Sequence, residues 1–163
     1  MKYILAIVAL FAPAALMAQA STPAAKPSAS KVTLSSETFV AKAVTNAKGV
    51  KENKLFPADR VLPGDPLVFQ LSYQNVGTAA ASRFVIDNPV PAGVFYSGAR
   101  EAWATVSIDG GKNFAALSAL KIKKADGTLR GAIPQDVTQI RWTFAQPIAV
   151  GAKGSVMFYA VVK

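Results

Sequence analysis

The chain has 163 residues, with 18 Lys plus Arg against 9 Asp plus Glu for a formal net charge of +9, and it contains neither Cys nor His. Without Cys and His it cannot form a disulfide, an iron–sulfur site, a Cys- or His-based zinc site or a Ser-His-Asp triad. The carboxylate, Lys, Tyr and Ser side chains that remain form no catalytic signature. We therefore expect a non-enzymatic protein that binds no cofactor and no metal ion.

Residues 1–20 have the pattern of a secretory signal peptide. Lys2 precedes an apolar run, Tyr3–Ala18, that is shorter than the roughly 20 residues a membrane span needs. The run ends in Ala-Gln-Ala, the small-residue pattern of a cleavage site before Ser21. We predict export to the periplasm, the cell surface or the medium, with no transmembrane span after signal removal. A retained N-terminal anchor is the alternative.

The segment after the signal divides into a leader and one domain. Residues 21–30 (STPAAKPSAS) are rich in Pro, Ala and Ser without apolar periodicity, which predicts a flexible leader. Residues 31–163 are long enough to bury a core without disulfides, so we expect a single domain there. Short runs rich in Val, Ile, Phe and Tyr alternate with turn signals in this range, which predicts an all-β sandwich of seven to nine strands.

The first half of the domain has one clear strand. Val32–Thr45 predicts one or two strands, and Asn46–Asp59 predicts a Lys-rich connection. Pro63-Gly64 suits the centre of a type II turn, and Pro66 can only open the next strand because it cannot donate to a ladder. In 67–74 apolar residues then alternate with mostly polar ones, which predicts a half-buried strand.

The second half continues with short predicted strands separated by Gly, Pro, Asn and Asp. The last one has two largely apolar faces, which predicts a central strand covered on both sides. The predicted strands are 83–88, 94–96, 102–108, 120–123, 140–144 and 155–162.

Three turn motifs occur in a fixed order: Val61–Phe69 with its Pro-Gly-Asp turn, Tyr73–Gly77 ending in Asn-x-Gly, and Asp87–Gly93 with its Pro-Ala-Gly turn. This order resembles the conserved-repeat family known as domain of unknown function eleven, over roughly residues 37 to 163. Val90 and Val150 stand where that family usually has Leu and Pro. The resemblance implies an Ig-like Greek-key β-sandwich of an exported bacterial protein, without catalytic residues. Only one copy is present, whereas the family often forms tandem arrays.

Ser107–Phe114 resembles the Asp-box hairpin, Ser-x-Asp-x-Gly-x-x-aromatic. A single copy cannot build a propeller, and no carboxylate pair for glycoside hydrolysis accompanies it. We therefore interpret it as a turn in which Asp109 caps its own loop. Asp65, Asn75 and Asp87 are likewise expected to bond backbone groups in turns rather than to ligate Ca²⁺.

Two groups of residues are candidates for ligand contact. Trp103 and Tyr96 would form an aromatic stacking surface for a glycan, or Trp103 would pack at the sheet edge under a loop. Lys48, Lys51 and Lys54 are close in the sequence and would attract an anionic surface, such as lipid headgroups or acidic polysaccharide. Their alternative role is a solvated surface. Nucleic acid is disfavoured as a partner by the export signal and by the lack of a binding motif.

These observations favour an exported, non-enzymatic structural or interaction module of the cell envelope or periplasm, whose partner the sequence does not identify. Loops or an edge strand would contact that partner. The alternative is a small module that binds a glycan or an anionic envelope polymer. A minimal hydrolase based on a Ser–Lys pair or on paired carboxylates is a third class, and it requires a closed pocket that brings those groups together.

Overall fold

The computed structural model describes residues 29–163, and this part of the chain is all-β. The predicted signal peptide, residues 1–20, and residues 21–28 of the predicted leader lie outside it. Within the described range, no helix has the length and apolar character that crossing a membrane requires. The strands are β1 (Val32–Thr45), β2 (Lys51–Pro57), β3 (Pro66–Asn75), β4 (Val85–Pro89), β5 (Val94–Ala99), β6 (Thr105–Ser107), β7 (Lys121–Lys123), β8 (Leu129–Gly131), β9 (Gln139–Thr143) and β10 (Lys153–Val162).

The strands form two larger sheets and one small hairpin, all with antiparallel pairing. The five-stranded sheet has the order β2-β1-β3-β10-β5, and the three-stranded sheet has the order β4-β9-β6. Strands β7 and β8 form the hairpin. Buried side chains from both larger sheets belong to one hydrophobic cluster, so the sheets pack face to face as in a β-sandwich. The all-β prediction is confirmed.

The prediction of seven to nine strands is wrong, because residues 29–163 contain ten. Asn46–Asp59, predicted to be a connection, contains strand β2, and Leu129–Gly131 is a further strand that the apolar pattern does not indicate. Each is the return strand of a hairpin. Both are largely exposed on both faces, so their sequences lack the alternation of apolar and polar residues that marks a half-buried strand.

The core is built around two aromatic side chains from opposite sheets. Trp142 of β9 and Phe158 of β10 are fully buried, and their ring centroids lie 6.4 Å apart. Phe69 of β3 stacks on Phe158 with ring centroids 4.5 Å apart. Phe69 and Trp142 therefore lie on the inward faces of their strands.

Strand β10 occupies the predicted central position, between β3 and β5. Its inner face is buried at Val156, Phe158 and Ala160. The prediction that its other face is also covered is wrong within the described residues, since Tyr159 on that face is 37% exposed. The two sheets form only two layers, and no third layer of the described chain covers the outer face of the five-stranded sheet.

The Pro63-Gly64 turn has the predicted geometry. The backbone N–H of Asp65 donates to the carbonyl of Leu62 at 3.0 Å, and Gly64 has φ of +89°. The Asp65 carboxylate in turn accepts the backbone N–H of Leu62 at 2.8 Å. Pro66 opens β3 immediately afterwards, as predicted.

One carboxylate connects the two sheets. Glu101 follows β5, and its Oε2 accepts the indole N–H of Trp142 and the backbone N–H of Met157, each at 3.1 Å. Trp142 belongs to β9 and Met157 to β10, so the two donors come from different sheets. Its Oε1 accepts a 2.6 Å hydrogen bond from Arg100. The Glu101 side chain is only 10% exposed, so neither sheet donor has water as an easy substitute.

We expect Glu101→Ala to destabilise the fold by about 1–3 kcal/mol, because it leaves two donors from the two sheets without their acceptor. Urea denaturation measures the effect. Glu52→Ala is the matched control: Glu52 forms an ion pair with the exposed Lys54 across 3.2 Å, and its loss should change stability by less than about 1 kcal/mol. Equal midpoints for the two variants would contradict the role given to Glu101.

Candidate functional site: a projecting basic hairpin

The longest strand, β1, extends beyond the strand with which it pairs in the sheet. It pairs with β3 over Val32–Val40, and the next residue, Ala41, would lie opposite Pro66. Alternate residues of β3 donate their N–H groups toward β1, as Val76 continues to do toward the carbonyl of Lys31 at 2.8 Å. Pro66, like Val76, is an even-numbered residue whose backbone faces β1, but it has no N–H to donate. The β1–β3 ladder therefore ends at Val40.

Beyond Val40, strand β1 pairs only with β2. Residues Ala41–Thr45 lie opposite Lys51–Leu55 in an antiparallel ribbon. We call residues 41–57, with their connecting turn, the hairpin arm. In the five-stranded sheet β2 is an edge strand with β1 as its single neighbour, so the arm is a two-stranded extension of an otherwise layered structure.

Asn46 closes the tip of the hairpin arm. Its side-chain oxygen accepts the backbone N–H groups of Lys48 and Val50 at 2.9 and 3.1 Å. The Gly49 N–H donates to the Asn46 carbonyl at 2.9 Å, and Gly49 has φ of +78°, a conformation that favours glycine. The turn was missed at the sequence level, although Asn-x-x-Gly is a recognisable signal for it.

The hairpin arm brings the predicted basic residues together. Four lysines and one glutamate give residues 41–57 a net charge of +3. Lys48 lies at the tip, and Lys51 and Lys54 lie on opposite faces of β2. Lys54 is directly opposite Lys42 in the ladder, and like charges in such a pair repel each other. A single ion pair, Lys54 Nζ to Glu52 Oε1 at 3.2 Å, offsets that repulsion.

The arm also exposes apolar side chains that the sequence reasoning did not select. Val50 is 57% exposed, Leu55 47% and Phe56 39%. Positive charge and exposed apolar surface on one projecting ribbon are typical of a contact surface rather than of a solvated connection. The sequence signal that could have found it is the apolar Leu-Phe pair at 55–56, next to lysines within a segment rich in polar residues.

The structure does not bring Trp103 and Tyr96 together on an exposed face. Trp103 is 47% exposed and contacts Phe144 edge-on, with ring centroids 5.2 Å apart. Tyr96 belongs to the core and is 8% exposed, and burial raises the pKa of its phenol. Tyr96 points inward because β5 pairs its residues 94 and 96 with the buried side of β10. The expected stacking pair is therefore not formed.

A shallow cleft of about 390 Å³ lies on the outer face of the five-stranded sheet. Strands β1, β3 and β10 line it, mainly with hydroxyl, amide and amino groups at the outward positions. The polar lining residues are Thr33, Ser35, Gln70, Ser72, Gln74, Lys153 and Ser155. No local sequence pattern indicates this cleft, because its residues are scattered over three strands.

The cleft bears on the Ser–Lys hydrolase hypothesis, since Lys153, Ser72 and Ser155 all line it. The register places Ser155 opposite Ser72. Among residues 29–163, however, no hydrogen bond or ion pair involves the Lys153 amine, so no nucleophile–base pair is formed. The same range contains no group of three His, Cys, Asp or Glu side chains arranged to hold a metal ion.

The Asp109 loop has the predicted self-capping geometry. One Asp109 oxygen accepts the Ser107 hydroxyl at 2.7 Å and the backbone N–H groups of Lys112 and Asn113 at 3.0 Å each. The other accepts the Asn113 side-chain amide at 2.7 Å. Hydrogen bonds from the Ser107 hydroxyl, then from Asn113, hold the pKa of Asp109 well below its usual range.

The other predicted turn carboxylates and amides differ in role. Asn75 is fully buried and bonds the backbone as predicted, donating to the carbonyls of Ala79 and Ile148 at 2.9 and 2.8 Å. The turn prediction for Asp87 is wrong. Asp87 lies in β4 directly opposite Arg141 of β9 and accepts two hydrogen bonds from its guanidinium, at 2.6 and 2.7 Å.

Comparison of the chain with protein-family models, with curated proteins and with solved structures finds no match. The resemblance to the conserved-repeat family therefore stays a prediction.

We expect Asp109→Asn to lower the melting temperature near neutral pH, because it weakens the acceptor of the loop's hydrogen bonds. The folded-state pKa of Asp109 is lowered, so its contribution is present above the unfolded pKa of about 3.9 and is lost as pH falls through the folded value. The deficit of the variant should therefore shrink between about pH 4 and pH 2. Thermal melts across this range measure it.

The control is Asp59→Asn, since Asp59 is exposed and makes no side-chain hydrogen bond within the described range. Asp59→Asn should have the same melting temperature as the wild type at every pH. A deficit of Asp109→Asn that stays constant down to about pH 2 would contradict the electrostatic origin of the effect.

Proposed function

We propose that the chain is an exported, non-enzymatic interaction module of the cell envelope or periplasm, built as an Ig-like β-sandwich, that contacts its partner through the hairpin arm. The observation that carries this proposal is the arm itself. It leaves the buried part of β1 at Val40, has a net charge of +3 and exposes Leu55 and Phe56.

Energetic reasoning supports a binding role for the arm. A two-stranded ribbon without a packed face is marginally stable in water, and the Lys42–Lys54 pair weakens it further. The arm contributes little to the core, since the cluster that joins the sheets includes β1 only at Val40. An element that adds little stability and exposes apolar surface is best explained by a partner that covers it. Export is supported by the signal pattern of residues 1–20.

Site-specific photocrosslinking in the cells that natively produce the protein tests this proposal. A benzophenone amino acid replaces Leu55 on the arm, or Leu129 on the β7–β8 hairpin as a control that is equally large and 63% exposed. We expect a discrete adduct from position 55 and none from position 129. The same adduct from both positions, or an adduct from position 129 alone, would overturn the arm as the contact surface.

The outer-face cleft favours a second candidate function, a glycan-binding module. Sugars are recognised by planar arrays of hydroxyl and amide groups, and Gln70, Ser72 and Gln74 present such groups along one face of β3. Tyr159 lies on the same face of β10 and is accessible for stacking. This site differs from the Trp103–Tyr96 surface predicted from the sequence, and it uses no residue of the arm.

If the cleft binds a glycan, Gln70→Leu should weaken binding roughly tenfold, because it removes an amide that can both donate and accept. Titration calorimetry with neutral and acidic oligosaccharides measures the affinity. Thr143→Val, an exposed strand position in the three-stranded sheet, serves as the control. Absence of binding to every oligosaccharide, or unchanged binding by Gln70→Leu, would reject this candidate.

A further inference from the structure

We infer that the free edge of β2 binds an extended, acidic segment of a partner protein by strand addition, with the added strand lying next to Lys51–Pro57. This inference rests on the proposed function, because it names the chemistry of the partner that the hairpin arm contacts. Four features carry it: the direction of the backbone groups, the limits of the open edge, the charges beside it, and the contrast with the opposite edge of the sheet.

The alternation of hydrogen bonds along β2 shows which of its backbone groups have no partner within residues 29–163. At the tip the N–H of Asn46 donates to the carbonyl of Val50, and at the root the N–H of Ala58 donates to the carbonyl of Thr38. Even-numbered residues of β2 therefore direct their backbone groups toward β1. The N–H and carbonyl groups of odd-numbered residues point away from it, toward an edge that no strand of residues 29–163 occupies.

The open donors of β2 are the N–H groups of Lys51, Asn53 and Leu55. Pro57 has the same parity but no N–H, so it ends the row of donors at the root. The Asn46 turn ends it at the tip. Three donors on alternate residues match an added strand of about five to seven residues, the usual length of a strand.

The charges around this edge select an acidic strand. Lys51 and Lys54 belong to β2 itself, and Lys42 lies opposite Lys54 in the next strand. An acidic residue opposite Lys54 would lie within about 5.5 Å between Cβ atoms and would relieve the repulsion between Lys54 and Lys42. A second copy of this chain fits less well, because it would set two arms of net charge +3 side by side.

The opposite edge of the five-stranded sheet offers no equivalent row. Strand β5 contacts the 3₁₀ turn Pro134–Asp136, which lies against it. It also contains a bulge, because Tyr96 and Gly98 pair with consecutive residues of β10 and leave Ser97 between them. A bulged edge with a turn next to it is a poor template for regular strand addition.

Binding of a fluorescein-labelled heptapeptide of alternating glutamate and valine, followed by anisotropy at low ionic strength, tests the inference. Asn53→Pro removes the central open N–H and leaves the ladder with β1 intact, because that N–H points outward. We expect it to weaken binding roughly tenfold or more, whereas Asn53→Ala, which keeps the N–H, should bind within about twofold of wild type. Equal binding by Asn53→Pro and Asn53→Ala would overturn strand addition.

Two further measurements complete the experiment. Lys54→Glu should weaken binding of the acidic peptide and should not weaken binding of a matched lysine–valine peptide. If Lys54→Glu instead weakens binding of the lysine–valine peptide alone, the acidic partner is overturned. Circular dichroism checks that Asn53→Pro folds. If it does not, Leu55→Pro replaces it, since the Leu55 N–H is also open. Sedimentation showing a dimer of the wild type that Asn53→Pro abolishes would assign the edge to a second copy and overturn the inference.

The photocrosslinking at position 55 separates this inference from the proposed function. Combining the crosslinker with Asn53→Pro should abolish the adduct, whereas Asn53→Ala should keep it. An adduct that survives Asn53→Pro would retain the hairpin arm as the contact surface and reject strand addition. If the crosslinker at position 55 gives no adduct either in the otherwise unchanged chain or in the Asn53 variants, both the proposed contact surface and strand addition are rejected.

Discussion

Pro66 determines how far the longest strand of this protein can be paired. It faces β1 at the point where the next ladder N–H would donate, so the ladder with β3 ends at Val40 while β1 continues to Thr45. Strand β2, which the Asn46 turn returns along the other side of β1, bonds the even-numbered residues of β1, whereas the odd-numbered residues beyond Val40 face the side that β3 no longer reaches. The two-stranded character of the hairpin arm follows from this one interruption, because β1 and β2 continue beyond the last residue that β3 pairs.

An arm can recognise a partner with useful affinity only if its root is held in place, because ordering a loose element on binding costs free energy. The root here is Val40, which is buried in the core shared by both sheets. Glu101 links those sheets through Trp142 and Met157, and residues 29–163 contain no buried side-chain nitrogen or oxygen without a hydrogen-bond partner. Every buried polar side chain of this range is therefore satisfied, and the arm projects from a well-packed base.

The parts of the fold that could be predicted from the sequence are those in which one face of a strand is buried. Residues 67–74 and the strand around Trp142 show the alternation that burial imposes, and the Pro63-Gly64 turn has a fixed backbone chemistry. Strand β2 could not be predicted, because neither of its faces is packed and its sequence carries no period. The inward direction of Tyr96 depends on the pairing of β5 with β10, which is a long-range contact. The outer-face cleft depends on the register of three strands and leaves no local pattern.

Lysines on an edge strand ordinarily protect a protein from indiscriminate edge-to-edge pairing. On the hairpin arm the same charges would also decide which strand is accepted. An acidic strand gains favourable electrostatic interactions with Lys51 and Lys54, whereas a neutral or basic strand does not. A purely protective edge would have no reason to expose Leu55 at a residue whose N–H is open. Pro57 closes the edge where it meets the sandwich, so an added strand is restricted to the arm. The same lysines would then repel basic strands, which protects the edge from unspecific pairing, and attract acidic strands, which selects the partner.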